Sequence, residues 1–474
     1  MTMVESRSVA ETLAEFAGSL SYDDLPADVV HQAKLSTLDF IGVALAGSQT
    51  PSGRVIADYV RVQSGQPQAT VFGHGFKAPR AQAVLANGTG AHSVELDDHE
   101  AHSRSKVHPG VTVMPAAWAV SETKAVSGKE FLTAVVLGYD VIGRLSAATP
   151  YPDFLGRERG FHTTGLFGPF AAGAVSARLL GLDGGQTANA FGMLGSLAGG
   201  LSETMDAGSW TKRLHAGWAG HSGMVAAELA AAGFTGPRTV FEGRRGFYRA
   251  FCGTGHFDLD VVSADLGEQF DISLIMYKPY ACAGGIHSAM AAVEEIRAAA
   301  RFTPDEIEEI TVYCHPHVIE AFVTPREAKY RPVTGAQGQF SLPYSVAVLI
   351  TDGAALIDQF TDEAVTRRAV LDLAQKIRCE ATDLPRTSDE DDPARVTIRT
   401  RDGRVHEAAV PGAKGSLAVP MGTSDIVLKF RALATSVIGE ERTRAIESAV
   451  LEMDALEDVG HLAGLLAVTT SATA

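Results

Sequence analysis

Between Asn87 and Gly110 the chain reads NGTGAHSVELDDHEAHSRSKVHPG. His92, Glu95, Asp97, Asp98, His99, Glu100, His102 and His108 are gathered there between glycine-bearing turns. Imidazole titrates near neutral pH and neighbouring carboxylates tune it, so such a segment suits general acid–base work. The same residue types also make a solvated polar loop held by caps and ion pairs. His99 and His102 with Asp97 and Asp98 offer nitrogen and oxygen ligands, but their spacing matches no H-E-x-x-H motif, and no metal is expected.

Four further segments carry cations, proton-transfer groups or hydrogen-bond donors. His162, Thr163 and Thr164 precede an Ala/Gly-rich run, at a helix start whose free N–H groups and dipole suit an anion or simple capping. Trp210 to Gly217 (WTKRLHAG) places Lys212, Arg213 and His215 beside apolar residues, a composition suited to gripping carboxylates. Tyr277-Lys278-Pro279-Tyr280, with Cys282 and His287 behind it, offers Lys278 as another substrate cation. Nothing marks Cys282 as a nucleophile. Tyr344, in Gln339 to Tyr344 (QFSLPY), is a candidate hydrogen-bond donor or a packing residue.

These residues must be positioned by two kinds of structure. From Val9 to about Gly267 the patterning is mainly helical. Pro26 and Gly47 punctuate one long helix, Ser127 and Glu130 read as a capping box, and Gly165–Leu180 and Ala188–Leu201 are rich in small residues that suit close helix packing. Near Phe270 the character changes. Ile307–Tyr313 and Gln375–Ala381 alternate toward strand. Arg395–Arg401 and Arg404–Val410 read as a hairpin whose Asp402-Gly403 favours a two-residue type I′ turn. Ala283–Ala300 and Tyr344–Phe360 read as helices between the strands. Arg386–Pro393 is an acidic surface loop. Ser424–Ile438, Glu440–Met453 and Val459–Leu466 are helical again, and Thr469–Ala474 is a frayed end. The expectation is a mainly α protein: a large all-helical domain from 1 to 268, a smaller α/β lid domain from 269 to 408, and C-terminal helices from 409 to 474 returning to the first domain.

Composition narrows the function classes. The 474-residue chain is 46% hydrophobic and 20% charged, enough to bury a large core without staples. Its formal net charge of -16 opposes nucleic acid and anionic membrane surfaces. Cys252, Cys282, Cys314 and Cys379 form no C-x-x-C pair. No signal-peptide pattern and no membrane-length apolar run is seen, so a cytoplasmic enzyme is expected. There is no G-x-G-x-x-G after a strand, no Walker A motif and no G-x-S-x-G elbow, which removes most support for nucleotide, flavin and serine-hydrolase chemistry.

Read in order, NGTGAH with ELDD and VHPG, GFHTTG with ARLLGLD, KRLHAGWAGHSG with GFTGP, KPYACAGGIH, and FSLPYSVA resemble the MmgE/PrpD family over nearly the whole chain. The family includes 2-methylcitrate dehydratase, cis-aconitate decarboxylase and iminodisuccinate epimerase. The resemblance implies a helical domain with an α/β lid, a homodimer, no metal or organic cofactor, and a small anionic polycarboxylate as substrate. It places the active site between the domains. By motif the decarboxylase-branch site falls on Glu95 (Asp there), His99 (Thr there), His108, His162, Lys212, Lys278 and Tyr344. Asp97 joins the catalytic candidates, and Arg213 and His215 join Lys212 and Lys278 as substrate-binding ones. VELDDHE replaces the common LDFDDTH, and His102, Arg104 and Lys106 add charge before His108. The leading expectation is dehydration of a 2-methylcitrate-like hydroxy acid. Epimerisation, decarboxylation and a catalytically silent dicarboxylate-binding module stand as alternatives.

Overall fold

Small residues decide how closely the central helices cross. Helix Thr163–Leu180 runs against helix Thr211–Ala231. A Cβ added at Gly223 would lie 2.6 Å from both the Ala172 Cβ and the Gly173 backbone nitrogen. No larger residue permits that approach. The computed structural model describes residues 7–100, 106–150, 154–253, 257–382, 384 and 392–468. It is 60% helical and 9% strand, which sets the class as mainly α with a smaller α/β part, as the sequence implies.

Around the central pair pack helices Ala27–Ser48, Arg80–Ala91, Gly110–Ser121, Gly128–Ala147 and Gly184–Leu194. The Gly110–Ser121 helix is buried along its whole length. Helix Thr423–Ile438, late in the chain, lies on Ala27–Ser48. There Lys429 Nζ pairs with Asp39 Oδ1 at 2.6 Å, and the Phe430 Cα would sit 3.3 Å from a Cβ at Gly42. Farther on, Leu456 accepts from the Gly128 N–H at 2.8 Å and Leu466 from the Gly73 N–H at 2.9 Å, tying the tail to N-terminal segments.

The α/β part carries a four-stranded sheet in the order Ile377–Ala381, Ile307–Cys314, Ala394–Thr400, Val405–Val410. The first pair is parallel and the others antiparallel. Helices His287–Ala299 and Leu342–Asp352 pack against each other, and the former also covers the sheet. Strand Ile307–Cys314 buries alternate residues from Ile310 to Cys314, the period read from its sequence, with a register irregularity before Ile310.

Several local expectations change. The hairpin turn is one residue longer than the two-residue form. The Gly403 N–H bonds the Thr400 carbonyl, the Thr400 N–H bonds the Arg404 carbonyl, and Gly403 takes the left-handed conformation at φ 88°. Ser127 does cap its helix, accepting from the Glu130 N–H at 3.2 Å, but Glu130 turns away to pair with Arg178. Gly47 lies inside its helix, which runs to Ser48. The segment Tyr344–Phe360 breaks at Gly353 (φ 76°), leaving a helix over Leu342–Asp352 and a short 3-10 turn. Val459–Leu466 is 3-10 rather than α. Of Ala188–Leu201, only the part to Leu194 is helical. The acidic loop lies outside the described residues except for Asp392 and Pro393, and so do His102, Arg104 and Thr469–Ala474.

Candidate active site

The segment after helix Arg80–Ala91 leaves the helix at His92, its C-cap residue. It turns sharply at Glu95, which holds φ at 53°. Left-handed backbone at a buried non-glycine residue is costly and persists only where its surroundings fix it. Here the surroundings are two lysines. Lys212 Nζ pairs with Glu95 Oε1, and Lys278 Nζ lies 3.2 Å from Glu95 Oε2. Lys212 comes from the first turn of helix Thr211–Ala231. Lys278 comes from the loop after the short strand Ile275–Met276, which pairs with His99–Glu100. That loop is braced on both sides. The Tyr277 hydroxyl meets Ser36 Oγ at 2.8 Å, and the Ala283 N–H donates to the Gln339 carbonyl at 2.9 Å.

Asp97 organises the histidines. Its Oδ2 lies 2.8 Å from His92 Nδ1 and 2.9 Å from His108 Nδ1. His108 Nδ1 is also 2.9 Å from the Asp98 carbonyl. An Nδ1–H facing these acceptors leaves His108 Nε2 with the lone pair a base needs. His92 Nε2 in turn faces Lys212 Nζ at 3.1 Å. His162 stacks on His92, with centroids 5.6 Å apart and planes at 16°, and meets His215 through the two Nδ1 atoms at 3.1 Å. His162 Nε2, His99 Nδ1 and Asp97 Oδ1 are buried without a hydrogen-bond partner among the described residues. Such atoms are costly to bury unless a bound group satisfies them.

Burial pushes the Glu95 carboxyl up, but Lys212 and Lys278 together outweigh it and hold Glu95 well below the usual carboxylate range. Burial also raises Asp97, and the histidines and Lys278 reverse it. Burial lowers His108 to about 4 despite Asp97, and lowers His162 and His99 well below their ordinary value, with lysine charge adding to the effect. At neutral pH the depressed histidines are therefore uncharged, and Glu95 and Asp97 are ionised beside Lys212 and Lys278. Asp98 stands behind this cluster. Burial and Asp39 push its carboxyl up to about 7, while it accepts from the Tyr139 hydroxyl at 2.5 Å and the Gly110 N–H at 3.0 Å. A Cβ at Gly110 would come within 2.7 Å of that carboxylate.

The structure thus brings together Glu95, Asp97, His99, His108, His162, Lys212, His215 and Lys278. Arg213 sits at the edge, donating to Ser52 Oγ at 2.9 Å and Gln339 Oε1 at 3.1 Å. Tyr344 is not brought in. Its hydroxyl donates to the Gln359 carbonyl at 2.6 Å and its ring packs on Phe360. Thr163 and Thr164 face no open anion site: Thr164 Oγ1 accepts from the His108 N–H at 3.1 Å, and Thr163 donates to the Lys106 carbonyl at 3.3 Å. Cys282 is buried and its thiol is pushed up to about 12 by that burial, so it stays protonated. His92 is the residue that sequence reasoning left out of the site, although its i, i+5 spacing to Asp97 was there to be read.

One nitrogen each from His92, His108 and His162 lie within 4.8 Å of one another. The set does not suit a cation, because the Lys212 ammonium is 3.1 Å from His92 Nε2 and Lys278 stands beside Glu95. An anion suits it.

The MmgE/PrpD N-terminal domain model matches residues 11–260, and the MmgE/PrpD C-terminal domain model matches residues 280–455. The chain belongs to the MmgE/PrpD family. It is similar to a cis-aconitate decarboxylase-like protein of Aspergillus oryzae, with 32% identity over 98% of this chain and 99% of that protein. It is also similar to cis-aconitate decarboxylases of Aspergillus terreus, at 29% identity over 97% of this chain and 96% of that protein, and of Mus musculus, at 25% over 97% and 93%. Glu95, Asp97, His99, His108, His162, Lys212, Arg213 and His215 lie within the segment matched by the N-terminal model, and Lys278 lies just before the segment matched by the C-terminal model. No helix among the described residues is long and apolar enough to cross a membrane.

Proposed function

We propose that this MmgE/PrpD protein is a cofactor-free lyase acting next to a carboxylate of a small polycarboxylate, with loss of CO2 from a cis-aconitate-like acid as the leading reaction. One observation carries the reading. A buried pair of lysines, already holding one carboxylate between them, faces histidines that are neutral and partly unpartnered. End-to-end similarity to proteins named cis-aconitate decarboxylases supports the same chemistry.

In this reading residues 269–408 act as a lid over a body formed by 1–268 and 409–474. Lys212 belongs to the body and Lys278 to the lid, so an anion between them closes the cleft and excludes water. Substrate carboxylates bind the two ammoniums and Arg213. Their negative charge raises the histidine pKa values, so His108 or His162 becomes a proton donor on binding. The carbon–carbon bond to the leaving carboxylate breaks, CO2 departs, and the electron pair spreads toward a remaining carboxylate. Fixed cations in a water-poor site stabilise that charge. The histidine then delivers its proton to carbon.

Dehydration of a 2-methylcitrate-like hydroxy acid is the second reading, and His99 favours it. Dehydration needs a base for the C–H and an acid for the departing hydroxyl. His99 supplies another titratable ring 6.1 Å from that of His108, where the decarboxylase branch carries threonine. Incubation with cis-aconitate and with 2-methylcitrate separates the two. CO2 release supports the first, new conjugated-alkene absorbance the second, and α-carbon deuterium exchange without either supports epimerisation. Thermal stabilisation by di- and tricarboxylates with no CO2, alkene or exchange would overturn the enzyme reading.

A further inference from the structure

A second group of histidines lies at one end of the four-stranded sheet, on elements the catalytic cluster does not use. Strand Ile307–Cys314 is followed by His315, the N-cap of helix Pro316–Phe322, which carries His317 in its first turn, and strand Ala394–Thr400 begins just after Asp392. The two strands are antiparallel, with Tyr313 opposite Arg395, so the end of one and the start of the other meet at this edge. His315 and His317 face each other with Nδ1 atoms 2.6 Å apart, and His317 Nε2 lies 2.8 Å from Asp392 Oδ2. We propose that His315, His317 and Asp392 form a binding site for a divalent transition-metal ion of the Zn2+ class.

The argument is one of donor type, spacing and charge. One nitrogen from each histidine and one carboxylate oxygen lie within 4.8 Å of one another. Metal–ligand bonds of ~2.0–2.2 Å put neighbouring ligand atoms about 3–4 Å apart. Because His317 now points Nδ1 at His315 and Nε2 at Asp392, one ion takes this set when the His317 ring turns so that a single nitrogen faces it together with His315 and Asp392. Two imidazole nitrogens at hydrogen-bond distance share at most one proton, and an ion bound to both lone pairs replaces that proton. Two imidazoles and one carboxylate select Zn2+, Ni2+, Co2+ or Cu2+ over Mg2+ or Ca2+. The side chains of His317 and Asp392 are 16% and 12% exposed, which leaves room for solvent ligands at the remaining positions. Asp392 adds negative charge here, whereas the catalytic histidines sit against ammoniums.

The test is titration of chelator-stripped full-length protein with Co2+, followed by its visible absorption, and with Zn2+ by calorimetry. Wild type is expected to bind a single equivalent. His317→Ala and Asp392→Asn are expected to weaken binding by at least about tenfold, since losing even a group that only orients a ligand costs ~10–100-fold. His162→Ala should bind as wild type does. Circular dichroism of the two sheet-edge variants confirms that they fold. Wild-type protein that takes up no Co2+ or Zn2+ overturns the site, because the three residues are then a hydrogen-bonded relay. Binding that survives both sheet-edge variants but is lost in His162→Ala also overturns it and moves the ion to the catalytic histidines.

Discussion

Replacing Glu95 by glutamine keeps the shape of the site and removes one charge. Two buried ammoniums would then face Asp97 as their nearest remaining anion, since Glu95 is the group both lysines touch. Breaking a buried pair by deleting one partner costs ~3–5 kcal/mol, mostly because the other charge is left uncompensated. Lys212 yields first. Burial already lowers its pKa, whereas Glu95 and Asp97 overcome the burial of Lys278 and raise its pKa. The loss should therefore shrink as pH rises and Lys212 releases its proton. A small polycarboxylate such as citrate should restore stability in the variant more than in wild type, because it supplies the missing charge in the missing place. Urea unfolding at pH 7 and pH 9, with and without citrate, measures all three effects. A Glu95→Gln protein as stable as wild type at pH 7, or one that citrate stabilises no more than wild type, would refute the idea that Glu95 holds the place of a substrate carboxylate.

His162→Ala is expected to lower kcat by ~10²-fold or more if the ring transfers a proton. Lys278→Ala should mainly raise KM, because it removes an anchor used in ground and transition states alike. Steady-state kinetics on the substrate found separate the two. Tyr344→Phe should leave kcat unchanged and cost ~1 kcal/mol of stability through its lost bond to Gln359; a collapse of kcat would return Tyr344 to the site. His108 makes stability pH-dependent. Folded, it takes a proton only near pH 4, against about 6.5 when unfolded, so the unfolded chain binds more protons in between. Its contribution is complete above about pH 6.5 and is lost as pH falls toward 4. At ~1.36 kcal/mol per pH unit this amounts to about 3 kcal/mol, and His108→Gln should remove that share of the acid sensitivity in unfolding curves between pH 7 and 4.5. Gly223→Ala should destabilise by ~1–3 kcal/mol or more through overpacking against Ala172 and Gly173, read by thermal melting.

What was legible in the sequence follows from what each signal depends on. The helical body showed in long periodic runs and small-residue density, and the Ile307–Cys314 strand showed in alternation, because burial imposes both patterns directly. The hairpin turn did not. Asp402-Gly403 is compatible with a two-residue loop and with the longer loop observed, and strand register chooses between them. Glu130 was read as half of a capping box because Ser127 lies three residues before it, but Arg178, 48 residues later, competes for the same carboxylate. The site divided in the same way. Lys212, Lys278 and the histidines stood out as cations and titratable groups in an acidic chain. Their burial was invisible, as was the reversal in which Lys278, easily taken for a surface lysine, is 2% exposed. Tyr344 came with its motif, and only the fold shows its hydroxyl spent on Gln359.

What the sequence left invisible is how the site residues are linked, and that linkage bears on mechanism. Asp97, His92 and Lys212 form a continuous line of contacts, and Glu95 joins Lys212 to Lys278. No single spacing rule reports such a chain, because its members come from a helix end, a left-handed turn, another helix and a distant loop. Each link changes the charge state of the next. The lysines hold Glu95 ionised, their field helps keep the histidines neutral, and Asp97 turns the lone pair of His108 outward. Under the proposed function, a substrate carboxylate entering between the lysines would reverse the field felt by the histidines, so binding itself would supply the acid that the chemistry needs. That coupling would make the lysines part of the proton inventory as well as anchors. The corresponding measurement is the pH profile of kcat/KM in Lys212→Arg. Arginine keeps the positive charge but cannot release a proton in the working range. If Lys212 acts only as fixed charge, the variant keeps turnover and loses any alkaline limb that Lys212 set; if Lys212 gives up and regains a proton during turnover, the variant loses turnover at every pH.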